Sequence, residues 1–168
     1  PASRRAPGAG EIEIQVVATG LNFRDVLTAL GMYEGAAGPL GTECAGRVVR
    51  IGEGVGEFQV GDEVIAFAGD TFRTFVTLPV DVVTRKPSRL GLVEAATIPA
   101  TFLTAHHALH HLAQMSAGDR VLIHAAAGGV GLAAVQLAQR AGAEIFATAG
   151  SDEKRDYLRS LGVRHVMN

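Results

Sequence analysis

From Glu11 to about Pro87 the apolar positions come in short runs that alternate with polar ones and are separated by glycines. EIEIQVVATG alternates charged and apolar residues over its first half, and AGRVVRIG, DEVIAF, FRTFVTLP and DVVTRKP follow. A period of two over a few residues marks a strand with one face buried, so this half predicts a small, irregular β-barrel. One segment breaks the pattern. In NFRDVLTALG the apolar residues Phe23, Val26, Leu27 and Leu30 recur at helical spacing, and Gly31 stands where the turn would stop. A helix closed by a glycine is expected there.

From about Leu92 the rhythm changes. VEAATIPATFLTAHHALHHLAQMSAGD predicts a short helix, a break at Pro99 and a longer helix ending near Gly118. RVLIHA then reads as a buried strand, GGVGLAAVQLAQRAG as an apolar helix, AEIFATAG as a second strand, SDEKRDYLRSLGV as a second helix and RHVMN as the start of a third strand. Strands that alternate with helices pair in parallel. The expected fold is α/β, with a β-rich domain over 1–92 and a Rossmann-type parallel sheet over 93–168. A complete doubly wound sheet has about six strands, so this sheet is expected to be truncated after about three, as in a fragment of a longer protein.

Composition narrows the classes. The chain has 168 residues, 48% hydrophobic and 19% charged, with a net charge of −2. That balance fits a folded, water-soluble domain and argues against a nucleic-acid partner. No stretch reaches the ~18 apolar residues of a membrane span, and PASRRAPGAG lacks the apolar core of a secretory signal, so a cytoplasmic location is expected. The single cysteine, Cys44, excludes both an internal disulfide framework and a four-cysteine zinc site. As a small apolar side chain it reads as packing rather than chemistry.

The chemistry concentrates in His124-Ala-Ala-Ala-Gly-Gly-Val-Gly131. This run follows a strand and opens a helix, the context in which a G-x-G-x-x-G turn binds the pyrophosphate of a dinucleotide. Ala126, Gly128 and Gly131 occupy the three glycine positions, and Ala127, Gly128, Gly129, Val130 and Gly131 are the expected phosphate contacts. The competing reading is an ordinary glycine turn in a sheet. Cofactor choice is read at the tip of the next strand, where an acid would select NAD. This chain has Gly150-Ser151 there, followed by Lys154 and Arg155. Ser151, Lys154 and Arg155 therefore predict a 2′-phosphate site and NADPH. Two alternatives stand beside this: Asp152 facing a ribose, and Lys154 and Arg155 as solvated helix charges.

With both halves in view the chain resembles the zinc-independent medium-chain dehydrogenase/reductase superfamily. It is most similar there to the enoyl reductase domains of type I polyketide and fatty acid synthases. The matching stretches are GLNFRDVLTALGMYEG (20–35), LGTECAGRVVRIGEGV (40–55), VGDEVIAF (60–67), AATIPATFLTAHHAL (95–109) and the segment from Gly118 to Gly162. The resemblance implies a GroES-like substrate domain before the Rossmann domain. It also implies hydride transfer from NADPH to an enoyl thioester on an acyl carrier protein, among neighbouring synthase domains. Where zinc-dependent relatives carry Gly-His-Glu, this chain has Gly41-Thr42-Glu43, so no metal is expected.

Reducing an enoyl thioester needs hydride at Cβ, a partner for negative charge on the thioester oxygen and a proton at Cα. By resemblance Asn22 and Thr104 reach the nicotinamide; the alternative for Asn22 is a turn residue capping its own helix. Tyr33 is the proton-donor candidate, since a phenol can donate to an enolate, against a plain surface or core tyrosine. His106, His107, His110 and His111 form two i,i+4 pairs, but no acid accompanies them as in H-E-x-x-H, so helix packing is the preferred reading. Other functions compatible with these residues are a free-standing quinone oxidoreductase and a catalytically degenerate nucleotide-binding scaffold.

Overall fold

The computed structural model describes residues 4–35 and 38–168. The chain divides into two compact units, Pro1–Ala100 and Thr101–Asn168.

In the first unit the predicted strands form: β1 (Glu11–Thr19), β2 (Glu43–Ile51), β3 (Glu63–Phe67), β4 (Phe75–Pro79) and β5 (Val83–Arg85). They pair antiparallel in the order β4-β1-β2-β3-β5. Alternation decides the inner face, where Ile12, Ile14, Val48, Val64, Val76 and Leu78 make the core. Glu13 breaks the alternation and is fully buried. Its carboxylate accepts paired hydrogen bonds from Arg4 at 2.7 Å and from Arg50 at 2.6 Å, which offsets the cost of removing it from water.

Helix α1 runs over Phe23–Ala29 and stops before Gly31, whose φ of +67° a side chain would resist. Its apolar residues do not make a buried stripe: Phe23 and Leu30 are exposed, and Asp25 is the helix's buried residue. Helix α2 (Leu92–Ala95) sets Ala95 and Ala96 against Ala45 and Ile65. Ala95 and Ala96 thus belong to the first compact unit, which runs to Ala100.

Helix α3 (Pro99–His106) begins on Pro99 rather than breaking there, since a proline ring suits a first helical position. It does not continue to Gly118. His107–Leu112 widens into a π-helical turn, closed by hydrogen bonds from Ala113 N to Ala108 O and from Met115 N to Leu109 O. Met115 is buried in the second unit's core, and reaching it takes the chain off the helical path.

The second unit holds β6 (Arg120–Ile123), α4 (Gly129–Ala141), β7 (Glu144–Thr148), α5 (Asp152–Ser160) and β8 (His165–Met167). The strands pair parallel in the order β6-β7-β8. Ala133, Ala134, Val135 and Ala138 of α4 are buried with Ile123, Ile145 and Ala147; small side chains let the helix lie close to the strands. β6 is less buried than expected, with only Ile123 enclosed and Leu122 exposed. Among the described residues no helix is long and apolar enough to cross a membrane.

Candidate functional site

The second unit builds a candidate anion cradle from backbone alone. After β6 the chain turns at Ala125, a left-handed residue (φ +48°). Ala126 N donates to Thr148 O at 2.9 Å, and Gly128 N donates to Ala125 O at 2.8 Å. The helix N-cap is Gly128, which offers no side chain, and the first backbone hydrogen bond past the cap runs from Leu132 N to Gly128 O. The N–H groups of Gly129, Val130 and Gly131 precede it and point along the axis of a thirteen-residue helix. They carry its partial positive charge. The cradle is tight behind: a Cβ on Gly131 would lie 2.5 Å from Ala125 O and 2.6 Å from Ala126 Cα. On its open side Gly128, Gly129 and Val130 are exposed, and Ala127 is partly so. Residues 127–131 form one continuous turn whose backbone N–H groups and open side are compatible with an anion.

Two neighbours complete the turn. His124 Nδ1 lies 3.2 Å from Thr148 Oγ1, which also accepts from Ala125 N at 3.3 Å. A Cβ on Gly129 would meet Thr101 Cγ2 at 3.2 Å, so the start of α3 borders the cradle. Thr101 was not among the expected residues; Thr104, one turn further along α3, is exposed.

At the tip of β7, Ser151 is the N-cap of α5 and its Oγ accepts from Lys154 N at 3.4 Å. Lys154 is exposed. Arg155 is held differently. Its guanidinium donates to Ala149 O at 2.6 Å, Asp152 Oδ1 at 2.6 Å and Asn168 Oδ1 at 3.0 Å. The bond to Arg155 holds the Asp152 carboxyl below its usual range. Asp152 and Arg155 therefore satisfy each other, whereas Lys154 is in no side-chain hydrogen bond or ion pair among the described residues.

The first unit contains a second polar cluster. Asn22 caps α1, and its N–H donates to Asp25 Oδ2 at 2.9 Å while Asp25 Oδ1 accepts from Gly41 N at 2.8 Å. Asn22 Nδ2 donates to Thr42 Oγ1 at 2.9 Å and to Glu43 Oε1 at 2.8 Å; Glu43 Oε2 accepts from Ala100 N at 2.8 Å. Thr19 and Thr71 both donate hydroxyl bonds to Glu43 O, at 2.7 and 3.0 Å. Asp25 and Glu43 are buried, and neither was among the expected site residues. One signal for Asp25 was present, an acid three positions after an N-cap asparagine, the spacing of a capping box.

Tyr33 lies in the loop after α1, exposed, with the Arg24 guanidinium 5.4 Å from its ring centre. The histidines approach one another ring to ring. His107 and His111 stack at 4.9 Å, and His106 and His110 sit 5.0 Å apart, tilted. Among the described residues no three His, Cys, Asp or Glu side chains converge as a metal site requires.

Comparison with known proteins agrees with this architecture. The family described as alcohol dehydrogenase GroES-like domain matches residues 8–88, and that described as zinc-binding dehydrogenase matches 129–168. The mycocerosic acid synthase-like polyketide synthase of Mycobacterium tuberculosis is 46% identical over 167 residues, which cover 97% of this chain and 8% of that protein. The crystal structure of CurK enoyl reductase is 52% identical with a TM-score of 0.94, covering 100% of this chain and 54% of that one. The Escherichia coli quinone oxidoreductase complexed with NADPH is 30% identical with a TM-score of 0.88, covering 100% of this chain and 53% of that one. The chain thus spans about half of these solved relatives and a small part of the synthase. It belongs to the medium-chain dehydrogenase/reductase superfamily and within it is similar to the enoyl reductase domains of polyketide synthases.

Proposed function

We propose that this chain is part of an NADPH-dependent enoyl reductase, acting on an α,β-unsaturated acyl thioester held by an acyl carrier protein. Its setting is a modular polyketide or fatty acid synthase in the cytoplasm, with other synthase domains as neighbours. The functional division we draw is a substrate domain over 1–92 and a cofactor domain over 93–168. The observation that carries the reading is the side-chain-free N-terminus of α4, whose Gly128 cap leaves backbone N–H groups to an anion, in a chain 52% identical to an enoyl reductase.

Bound NADPH would supply the hydride. Residues 127–131 would hold its pyrophosphate, with the dense approach of Ala125 and Gly131 keeping the cradle rigid. Ser151 and Lys154 would meet the 2′-phosphate, while Arg155 fixes the loop that presents them. Pairing of Asp152 with Arg155 supports this choice over a ribose-binding acid. Asn22 and Thr104 are assigned to the nicotinamide half, and Tyr33 to donating a proton to the enolate carbon.

The test is NADPH oxidation by the complete domain with a crotonyl thioester and, separately, with a quinone. Turnover of the thioester with NADPH preferred over NADH is expected. Turnover of the quinone alone would replace this reading with the quinone oxidoreductase one, which the likeness to the Escherichia coli enzyme supports. NADPH binding with neither reaction would point to a nucleotide-binding scaffold.

A further inference from the structure

Glu43 is a buried carboxylate, 2% exposed, that no step of the proposed reaction uses. Its burial is built in. A Cβ on Gly20 would lie 2.2 Å from Glu43 Oε1, so only glycine leaves room for it, and two threonine hydroxyls pin its backbone carbonyl. Among the described residues its side chain accepts from the N–H of Ala100 and from the side-chain amide of Asn22. A backbone N–H cannot change its direction. An amide can, by rotating about its terminal bond, and here the partner decides the rotation.

A carboxylate only accepts hydrogen bonds, so the face Asn22 turns toward Glu43 has to be Nδ2. The second hydrogen of that nitrogen goes to Thr42 Oγ1 at 2.9 Å. Among the described residues both donors of the amide are thereby engaged and Oδ1 makes no side-chain cap bond to α1, which leaves Oδ1 as the acceptor offered to a ligand. We propose that Glu43 is a positioning residue that sets the polarity of Asn22, making it an acceptor for a hydroxyl or carboxamide N–H group of the bound cofactor. Asn22 then has no donor for the thioester oxygen, and charge developing on that oxygen has to be met elsewhere. The inference rests on the proposed placement of Asn22 at the nicotinamide half.

A polarity swap tests it in the complete domain, reading the NADPH dissociation constant, KM and kcat. In Glu43→Gln the new amide keeps its oxygen toward Ala100 N and turns its nitrogen toward Asn22. The Asn22 amide must then rotate and present a donor outward. NADPH affinity is expected to fall about tenfold, the scale of one mispaired hydrogen bond, with the loss in KM rather than kcat. Combining Glu43→Gln with Asn22→Asp returns an oxygen to the outward position, because the new carboxylate accepts from the glutamine nitrogen. Affinity is expected to recover to within about threefold of the parent, whereas a merely structural role for Glu43 predicts no recovery.

The swap also keeps the test informative if Glu43→Gln alone folds poorly. A double variant as weak as Glu43→Gln, or a Glu43→Gln protein with unchanged affinity, would overturn the proposal. Asn22→Ala separates the two layers. If that change leaves NADPH affinity and KM untouched, the placement of Asn22 at the cofactor is wrong. If it weakens binding while Glu43→Gln does not, only the role of Glu43 falls.

Discussion

The carbonyl oxygen of Ala125 and the α-carbon of Gly131 approach so closely that a methyl on residue 131 would sit 2.5 Å from that oxygen. This contact folds the turn back onto the first turn of α4. Gly131→Ala is expected to destabilise the fold by about 1–3 kcal/mol, the usual cost of overpacking a tight site, and to abolish NADPH binding. Gly128→Ala, with its nearest contact at 3.2 Å, should cost much less stability. Urea unfolding and calorimetric titration with NADPH measure both.

Lys154 and Arg155 should separate in function. Lys154→Ala is expected to raise the NADPH dissociation constant about fivefold, a modest effect because solvent screens an exposed ammonium, and to leave NADH binding unchanged. Arg155→Ala removes the bonds to Ala149 O, Asp152 and Asn168. It should lower the melting temperature and weaken both cofactors alike.

Acid stability should depend on Glu13. The hydrogen bonds from Arg4 and Arg50 lower its carboxyl from 4.5 to about 2, against the opposing effect of burial. A carboxyl lowered on folding stabilises the native state fully above its unfolded value, and that contribution fades as pH falls from about 4.5 toward 2. Glu11, lowered to about 2 by Arg5 and the Gly8 N–H, acts in the same direction. Glu13→Gln should flatten the fall in melting temperature between pH 5 and 2.5, to about the slope left by Glu11 and the remaining acids.

Cys44 should be silent in the native protein. Burial, with Glu43 adding to it, pushes its thiol up to about 12, and the side chain is fully enclosed. A disulfide reagent at pH 8 should give no thiol release from the folded chain and about one equivalent after unfolding. Rapid native labelling would contradict the packing around β2.

The strands of both units were legible because alternation and the βαβ rhythm are written in consecutive residues. The glycine turn was legible for the same reason, with strand, turn and helix lying in one short stretch. Asp25 and Glu43 were not, since their decisive partners, Gly41 and Ala100, lie 16 and 57 positions away. The end of α3 was misplaced because local helix propensity continues through the histidines, whereas the burial of Met115 ends the helix sooner. α1 looked amphipathic by spacing, yet its buried residue is the acid that bonds Gly41.

By itself the sequence determined the order of elements, the parallel sheet and the position of the glycine turn before α4, all consequences of short-range pattern and backbone sterics. Only the tertiary structure decided what each polar group faces. It tied Arg155 to Asp152 and Ala149 and left Lys154 outward, and it turned the Asn22 amide by setting Glu43 beside it. Hydrogen bonds are directional and saturable, so which atom remains available for a ligand depends on partners brought close by folding, not on neighbours in the chain.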